Sequence, residues 1–203
     1  LQGLQTAKRI TLGLLEPHSQ THAVLFYGAS GSGKTTLSEI LAQGWLCTKP
    51  GETGGCGECQ SCRAVTEGLN SDLLWVLPGG AGNTISMNMI VDGKPVESGK
   101  PDVIPIERFL RTMPIMSRHK VVIIEDADRI YHESVGSILK TLEEPQPYAR
   151  FVLTSSRIGN VRSTIISRCI SIACSFPDGY ENSIGEVLTR TRRSEILAEI
   201  EGI

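Results

Sequence analysis

Gly28-Ala29-Ser30-Gly31-Ser32-Gly33-Lys34-Thr35 spells the pattern G-x-x-x-x-G-K-[ST], a spacing that lets one short turn grip a polyphosphate. Its glycines allow successive backbone N–H groups to converge on a point, and a helix starting there adds the positive end of its dipole. Lys34 would meet the β- and γ-phosphates, and the Thr35 hydroxyl would ligate the magnesium that accompanies them. The predicted chemistry is binding of ATP with Mg²⁺, with Gly28, Ser30, Gly31, Ser32, Gly33, Lys34, Thr35 and Thr36 as the contacts.

Two further groups of residues could do chemistry. Val121-Val122-Ile123-Ile124 reads as a buried strand that delivers Glu125, Asp126 and Asp128 at its C-terminal end, the Walker B position. There an Asp ordinarily holds magnesium and the following Glu polarises the attacking water. Here the order is reversed, with Glu125 on the metal side and Asp126 on the water side. Each carboxylate is displaced by about 1 Å, and a misplacement of that size can cost about a hundredfold in rate. Nucleotide binding survives such a swap better than hydrolysis, so the chain's own ATPase activity is expected to be weak or absent. The second group is Cys47, Cys56, Cys59 and Cys62, spaced C-x8-C-x2-C-x2-C among Pro50, Gly51, Gly54, Gly55 and Gly57. Four thiolates able to converge suit a closed, structural tetrahedral zinc site. Disulfides and an iron–sulfur cluster are the other uses of such a set. Cys169 and Cys174, more than a hundred residues later, read as buried apolar positions.

The elements that must hold these residues follow from the apolar pattern. Ala23–Tyr27, Leu73–Leu77, Val121–Ile124, Phe151–Leu153 and Ile170–Ala173 are short apolar runs suited to strands, the unbroken ones to strands covered on both faces. Helical spacing appears in 1–15, where it ends before Pro17, in Leu37, Ile40, Leu41 and Trp45, in Ile106, Phe109, Leu110 and Met113, and in Val135, Ile138, Leu139 and Leu142. Alternation of strand and helix predicts an α/β fold with a doubly wound, five-stranded parallel sheet and its ligand at the C-terminal edge of the strands. Residues 79–102 have weak periodicity and read as a long surface loop. The 203 residues carry 20 basic and 22 acidic side chains, a net charge of −2, so no global field would hold the chain on nucleic acid or an anionic membrane. No apolar stretch is long enough to span a bilayer and no signal pattern opens the sequence, so a cytoplasmic protein is expected. Leu1 rather than Met begins the sequence, which suggests a piece of a longer chain.

The phosphate loop, the cysteine module placed directly after its helix, the run Ser137-Ile138-Leu139-Lys140-Thr141-Leu142-Glu143-Glu144-Pro145, and Ser167-Arg168-Cys169 together resemble a bacterial DNA polymerase III clamp-loader subunit of the AAA+ superfamily. The resemblance covers nearly all of the chain. It implies an AAA+ nucleotide-binding domain over 1–175, with the zinc module 47–62 inserted. From 176 to 203 it implies the start of a helical lid, with Ile184, Val187, Leu188, Ile196, Leu197 and Ile200 as apolar positions, and the family's collar domain falls outside the 203 residues. Arg190, Arg192 and Arg193 in that lid read as a solvated face. The resemblance also implies that Arg168 acts in trans as an arginine finger in the ATP site of an adjacent subunit, and that Ser156, after Thr154 and Ser155, senses the γ-phosphate. The partners implied are the other subunits of a hetero-pentamer (gamma/tau and delta), the sliding clamp and, through the assembly, primed DNA. Glu125-Asp126-Ala127-Asp128 and His22–Phe26 are similar to the delta-prime type, a stationary partner, although its phosphate loop is often degraded and this one is intact. A gamma/tau-type motor, a small-molecule kinase and a zinc-module DNA-binding protein are the alternatives.

Overall fold

The computed structural model describes residues 5–16, 19–51, 54–80, 82–94 and 103–175. The expected lid over 176–203 lies outside the described residues. Five strands, β1 (Ala23–Tyr27), β2 (Leu73–Val76), β3 (Lys120–Ile124), β4 (Ala149–Ser155) and β5 (Ile170–Ala173), form one sheet in the order β2-β3-β4-β1-β5. Every pairing is parallel. All five were anticipated from their apolar runs, and β1 and β3 are unbroken because both of their faces are covered.

Side chains alternate across that sheet into two apolar layers. Leu25, Val122, Ile124, Phe151 and Leu153 face one way, onto α5 (Ile106–Leu110), α6 (Val135–Glu143) and α7 (Ser163–Ile166), through Ile106, Phe109, Ile138, Leu142 and Ile165. Val24, Phe26, Val121, Ile123 and Val152 face the other way, onto α1 (Gln5–Gly13) and α2 (Lys34–Leu46), through Ala7, Leu37, Leu41 and Trp45. Gly44 lets the end of α1 close on α2, since a Cβ there would sit 2.4 Å from a Leu15 methyl. A further helix, α3 (Gln60–Thr66), follows the cysteine turn, and helix α4 (Met87–Ile90) lies between β2 and α5.

Two expectations need correction. Of the stretch 79–102 expected as a surface loop, residues 79–80 and 82–94 are in part core, and the remainder lies outside the described residues. Gly79 and Thr84 pair antiparallel, Ile85 bridges to Ile130, and Ile85, Met89 and Ile90 are buried in the first apolar layer. Met113, read as the next position of the α5 stripe, is 68% exposed because that helix ends at Leu110. The chain instead turns along the N-terminal edge of the sheet, and the buried Asp72 carboxylate fixes that turn. It accepts hydrogen bonds from the amides of Ile115 (2.8 Å), Met116 (2.7 Å) and Ser117 (3.0 Å) and from the Ser117 hydroxyl (2.9 Å). Among the described residues no helix is long and apolar enough to cross a membrane.

Candidate functional site

β1 ends at Tyr27, and the chain turns at once through Gly28 to Gly33 before α2 begins at Lys34. Gly28 has φ of 152°, and a Cβ on it would lie 2.0 Å from the carbonyl oxygen of Cys174, so glycine is required for the turn to pass the exit of β5. Gly33 enters α2 with φ of 84°, and no side chain caps the helix, which leaves its first N–H groups to an incoming anion. Ser32 is buried with an unpartnered hydroxyl in the same turn. Lys34 is buried too, and its ammonium donates to the carbonyls of Gly28 (2.9 Å) and Ala29 (2.7 Å). A lysine folded onto its own loop, an orphaned hydroxyl and an uncapped helix start are groups that a triphosphate would satisfy, so the turn fits the nucleotide expected of it.

The acids lie on the same edge of the sheet. Burial pushes the Lys34 ammonium below its usual pKa, and negative charge nearby, on Cys174 when it is ionised and on the carboxylates of Asp126, Asp128 and Glu125, opposes that shift. Glu125, at the end of β3, accepts a hydrogen bond from the Trp75 indole on β2 at 3.2 Å. Asp126 adopts the left-handed conformation (φ 49°), an uncommon one for a residue with a Cβ. Its amide donates to the Thr154 hydroxyl at 3.2 Å, and its carboxylate lies 3.5 Å from the Arg129 guanidinium. The Ser155 hydroxyl donates to Asp128 at 2.7 Å and accepts from the Arg157 amide at 3.0 Å. Of the trio singled out in the sequence, Thr154 and Ser155 are thus engaged by the acids, while Ser156 is exposed.

Arg168 is elsewhere. It follows α7 and precedes β5, beside His22, which precedes β1, so it occupies the N-terminal edge of the parallel sheet. The phosphate loop is at the other edge, a strand of five residues away, about 16 Å at about 3.3 Å per residue. Arg168 is 33% exposed in an open groove lined by His22, Leu142, Glu143 and Ser167. Its guanidinium donates to the Thr164 carbonyl (2.8 Å) and the Ser167 hydroxyl (3.3 Å) and is ion-paired with Glu143.

The four clustered cysteines converge as their spacing anticipates. Their sulfur atoms all lie within 4.8 Å of one another, and Cys47 and Cys59 are 4.0 Å apart. Zn–S bonds of about 2.3 Å in a tetrahedron place sulfurs about 3.8 Å apart, so the set fits a zinc ion. Backbone amides already point at the sulfurs: those of Lys49 and Cys56 at Cys47 (both 3.3 Å), that of Cys59 at Cys56 and that of Cys62 at Cys59 (both 3.4 Å). Such donors stabilise thiolates. Burial pushes the Cys59 thiol up, but hydrogen bonds from Thr48 and the Cys62 amide outweigh it and bring it down to about 6. All six cysteines are free thiols. Cys169 and Cys174 lie apart from the cluster, pushed up by burial to about 12 and about 11.

Sequence reasoning missed Trp75, Glu143 and the carbonyl of Cys174. Each meets its partner across a long stretch of chain; Trp75 and Cys174 belong to no motif, and Glu143 lies in the run 137–145 that carries the resemblance, which assigns it no role.

The comparisons agree on one lineage. The DNA polymerase III subunit delta' of Pseudomonas aeruginosa is 31% identical over 156 residues, covering 77% of this chain and 44% of that protein. The DNA polymerase III subunit tau/gamma of Haemophilus influenzae is 30% identical over 149 residues, covering 73% of this chain and 19% of that protein. The chain therefore spans less than half the length of these curated relatives. A DNA polymerase III gamma subunit-related protein of Thermotoga maritima shares the fold, with a TM-score of 0.58 at 24% identity over 97% of this chain and 54% of its own. The family described as DNA polymerase III, delta subunit, matches residues 7–177, and the chain belongs to this AAA+ clamp-loader family.

Proposed function

We propose that this chain serves as a delta-prime-type subunit of a bacterial DNA polymerase III clamp loader, completing the ATP site of a neighbouring motor subunit with Arg168. The observation that carries the reading is the placement of that arginine. It lies at the opposite edge of the sheet from the chain's own phosphate loop, out of reach of any nucleotide bound there, and it opens to a groove. A guanidinium so placed can serve only a phosphate brought by another molecule. Its fixed fork of donors suits the charge that spreads over the γ-phosphoryl oxygens, and such a finger contributes about 10³–10⁵ in rate.

In this reading Gly28–Thr36 bind ATP with Mg²⁺, with Thr35 and Glu125 on the metal and Ser156 near the γ-phosphate, while the chain's own turnover is weak. Asp126 lies beside Arg129 and Glu125 accepts from Trp75, so neither acid is committed to an attacking water. Cys47, Cys56, Cys59 and Cys62 hold a structural Zn²⁺. Residues 1–175 are the nucleotide-binding domain and 176–203 begin the lid. The partners are gamma/tau and delta subunits, the sliding clamp and, through the assembly, primed DNA, in the cytoplasm.

A motor of gamma/tau type is the second reading, favoured by the complete phosphate loop. Both are tested by clamp- and DNA-stimulated ATP turnover in the assembled loader. The delta-prime reading expects Arg168→Ala to lose at least about 10³ of that rate and Lys34→Ala to lose little. The reverse pattern makes this chain the motor.

A further inference from the structure

We propose that Glu143 is a positioning residue that holds Arg168 in a resting, charge-neutralised state until an anionic nucleotide displaces it. The inference rests on the finger reading above and adds its regulation. Glu143 ends α6 and Arg168 directly follows α7, 25 residues later in the chain, and their side chains meet across the groove that would receive the neighbour. The guanidinium has two kinds of anchor. One of its terminal nitrogens is bonded to its own turn, at the Thr164 carbonyl and the Ser167 hydroxyl. The other, among the described residues, is ion-paired with the Glu143 carboxylate. That second nitrogen is the one that can exchange partners while the first keeps the arginine in place.

The exchange is chemically easy in one direction. Glu143 is 47% exposed and Arg168 33%, and a pair so open to water is weak, whereas a γ-phosphoryl group brings more charge and more acceptor oxygens than a carboxylate. A triphosphate presented at the groove therefore outcompetes Glu143. Until then the carboxylate cancels the charge of the guanidinium, and a neighbour whose nucleotide is not pressed into the groove gains no field from it. His22 lies beside the pair with its Nε2 3.1 Å from the Leu142 carbonyl, so that nitrogen is occupied by the backbone and does not replace Glu143 as a counter-group.

The test is steady-state ATP turnover by the assembled loader, measured without and with clamp and primed DNA, for the wild type, Glu143→Gln, Glu143→Asp and Arg168→Ala. Glu143→Gln is expected to raise the unstimulated kcat about two- to fivefold, the range open to an exposed pair, with the stimulated kcat little altered and the stimulation ratio smaller by the same factor. Glu143→Asp, which keeps the charge, is expected to restore the low unstimulated rate. A merely structural role would lower both rates together, and that result, or an unchanged unstimulated rate, overturns the proposal. The two readings separate cleanly. If Arg168→Ala leaves stimulated turnover intact, the finger reading fails. If Arg168→Ala abolishes it while Glu143→Gln changes nothing, only the role of Glu143 fails.

Discussion

At Gly28 the phosphate-loop motif and the tertiary structure make separate demands on one residue. The motif requires glycine so that a phosphate can approach the backbone, and this much was legible from spacing alone. The second demand is steric. The Cys174 carbonyl would lie 2.0 Å from an added Cβ, and a backbone oxygen, unlike a side-chain end, cannot swing away. With φ of 152° the position is also strained for any residue bearing a Cβ. Gly28→Ala is expected to lower unfolding stability by about 2 kcal/mol or more even without nucleotide, read as a shifted denaturant midpoint with an unchanged slope. A variant as stable as the wild type would show that the exit of β5 does not press on the loop. The same contrast holds at the acids. Glu125 and Asp126 were legible as a pair with their order reversed, but the indole of Trp75 that holds one and the left-handed turn that aims the other depend on β2 and β4, which meet β3 only in the sheet.

At the scale of elements, β1, β3 and β4 were readable because burial on both faces leaves no polar alternation to confuse with loop, and the more open β2 and β5 because their apolar runs are short and bounded. Residues 79–94 were not, because glycines and asparagines surround Ile85, Met89 and Ile90, and three core residues in so short a stretch give no period to detect. The N-terminal edge was equally hidden. Asp72 binds amides more than forty residues ahead of it, and Lys120, only 3% exposed, donates to the Phe109 carbonyl and lies 4.4 Å above that residue's ring. His119 sits in this edge with its Nδ1 buried and unpartnered. Burial lowers its pKa to about 4, helped by Arg150 and Arg118 and opposed by a backbone hydrogen bond with Tyr148. A group depressed in the fold from 6.5 binds its proton more readily in the unfolded chain. Its contribution is therefore whole above about pH 6.5 and is lost as pH falls toward 4. The stability difference between wild type and His119→Gln, followed by thermal melts across that window, is expected to shrink on acidification. A constant difference would contradict it.

Across the whole molecule, the cysteine module and the phosphate loop occupy the two ends of one helix. Cys47 follows Leu46 as the cap of α2, whose first residue is Lys34, and 13 residues span about 20 Å. The cysteine spacing and its place directly after the phosphate-loop helix were legible; that Cys47 itself caps that helix was not, because only the observed helix end reveals it. Metal at the far end should therefore hold α2 as a unit. Chelation, or Cys62→Ser, is expected to lower the melting temperature by about 4–8 °C, the shift that a loss of about 2 kcal/mol gives in a chain of this size. A melt indifferent to chelator would argue against a structural ion.

The five strands all run the same way, so the sheet has two rims that differ chemically. One carries Lys34 and the acids, and the other carries Arg168. Under the proposed reading a body of this kind has polarity: it would not serve itself, and it would join relatives head to tail rather than face to face. In any such row one terminal member has a receptor with nothing to fill it, and the member at the other end has a donor with nothing to serve. A subunit whose own turnover is dispensable loses least at the position where only its donor is used.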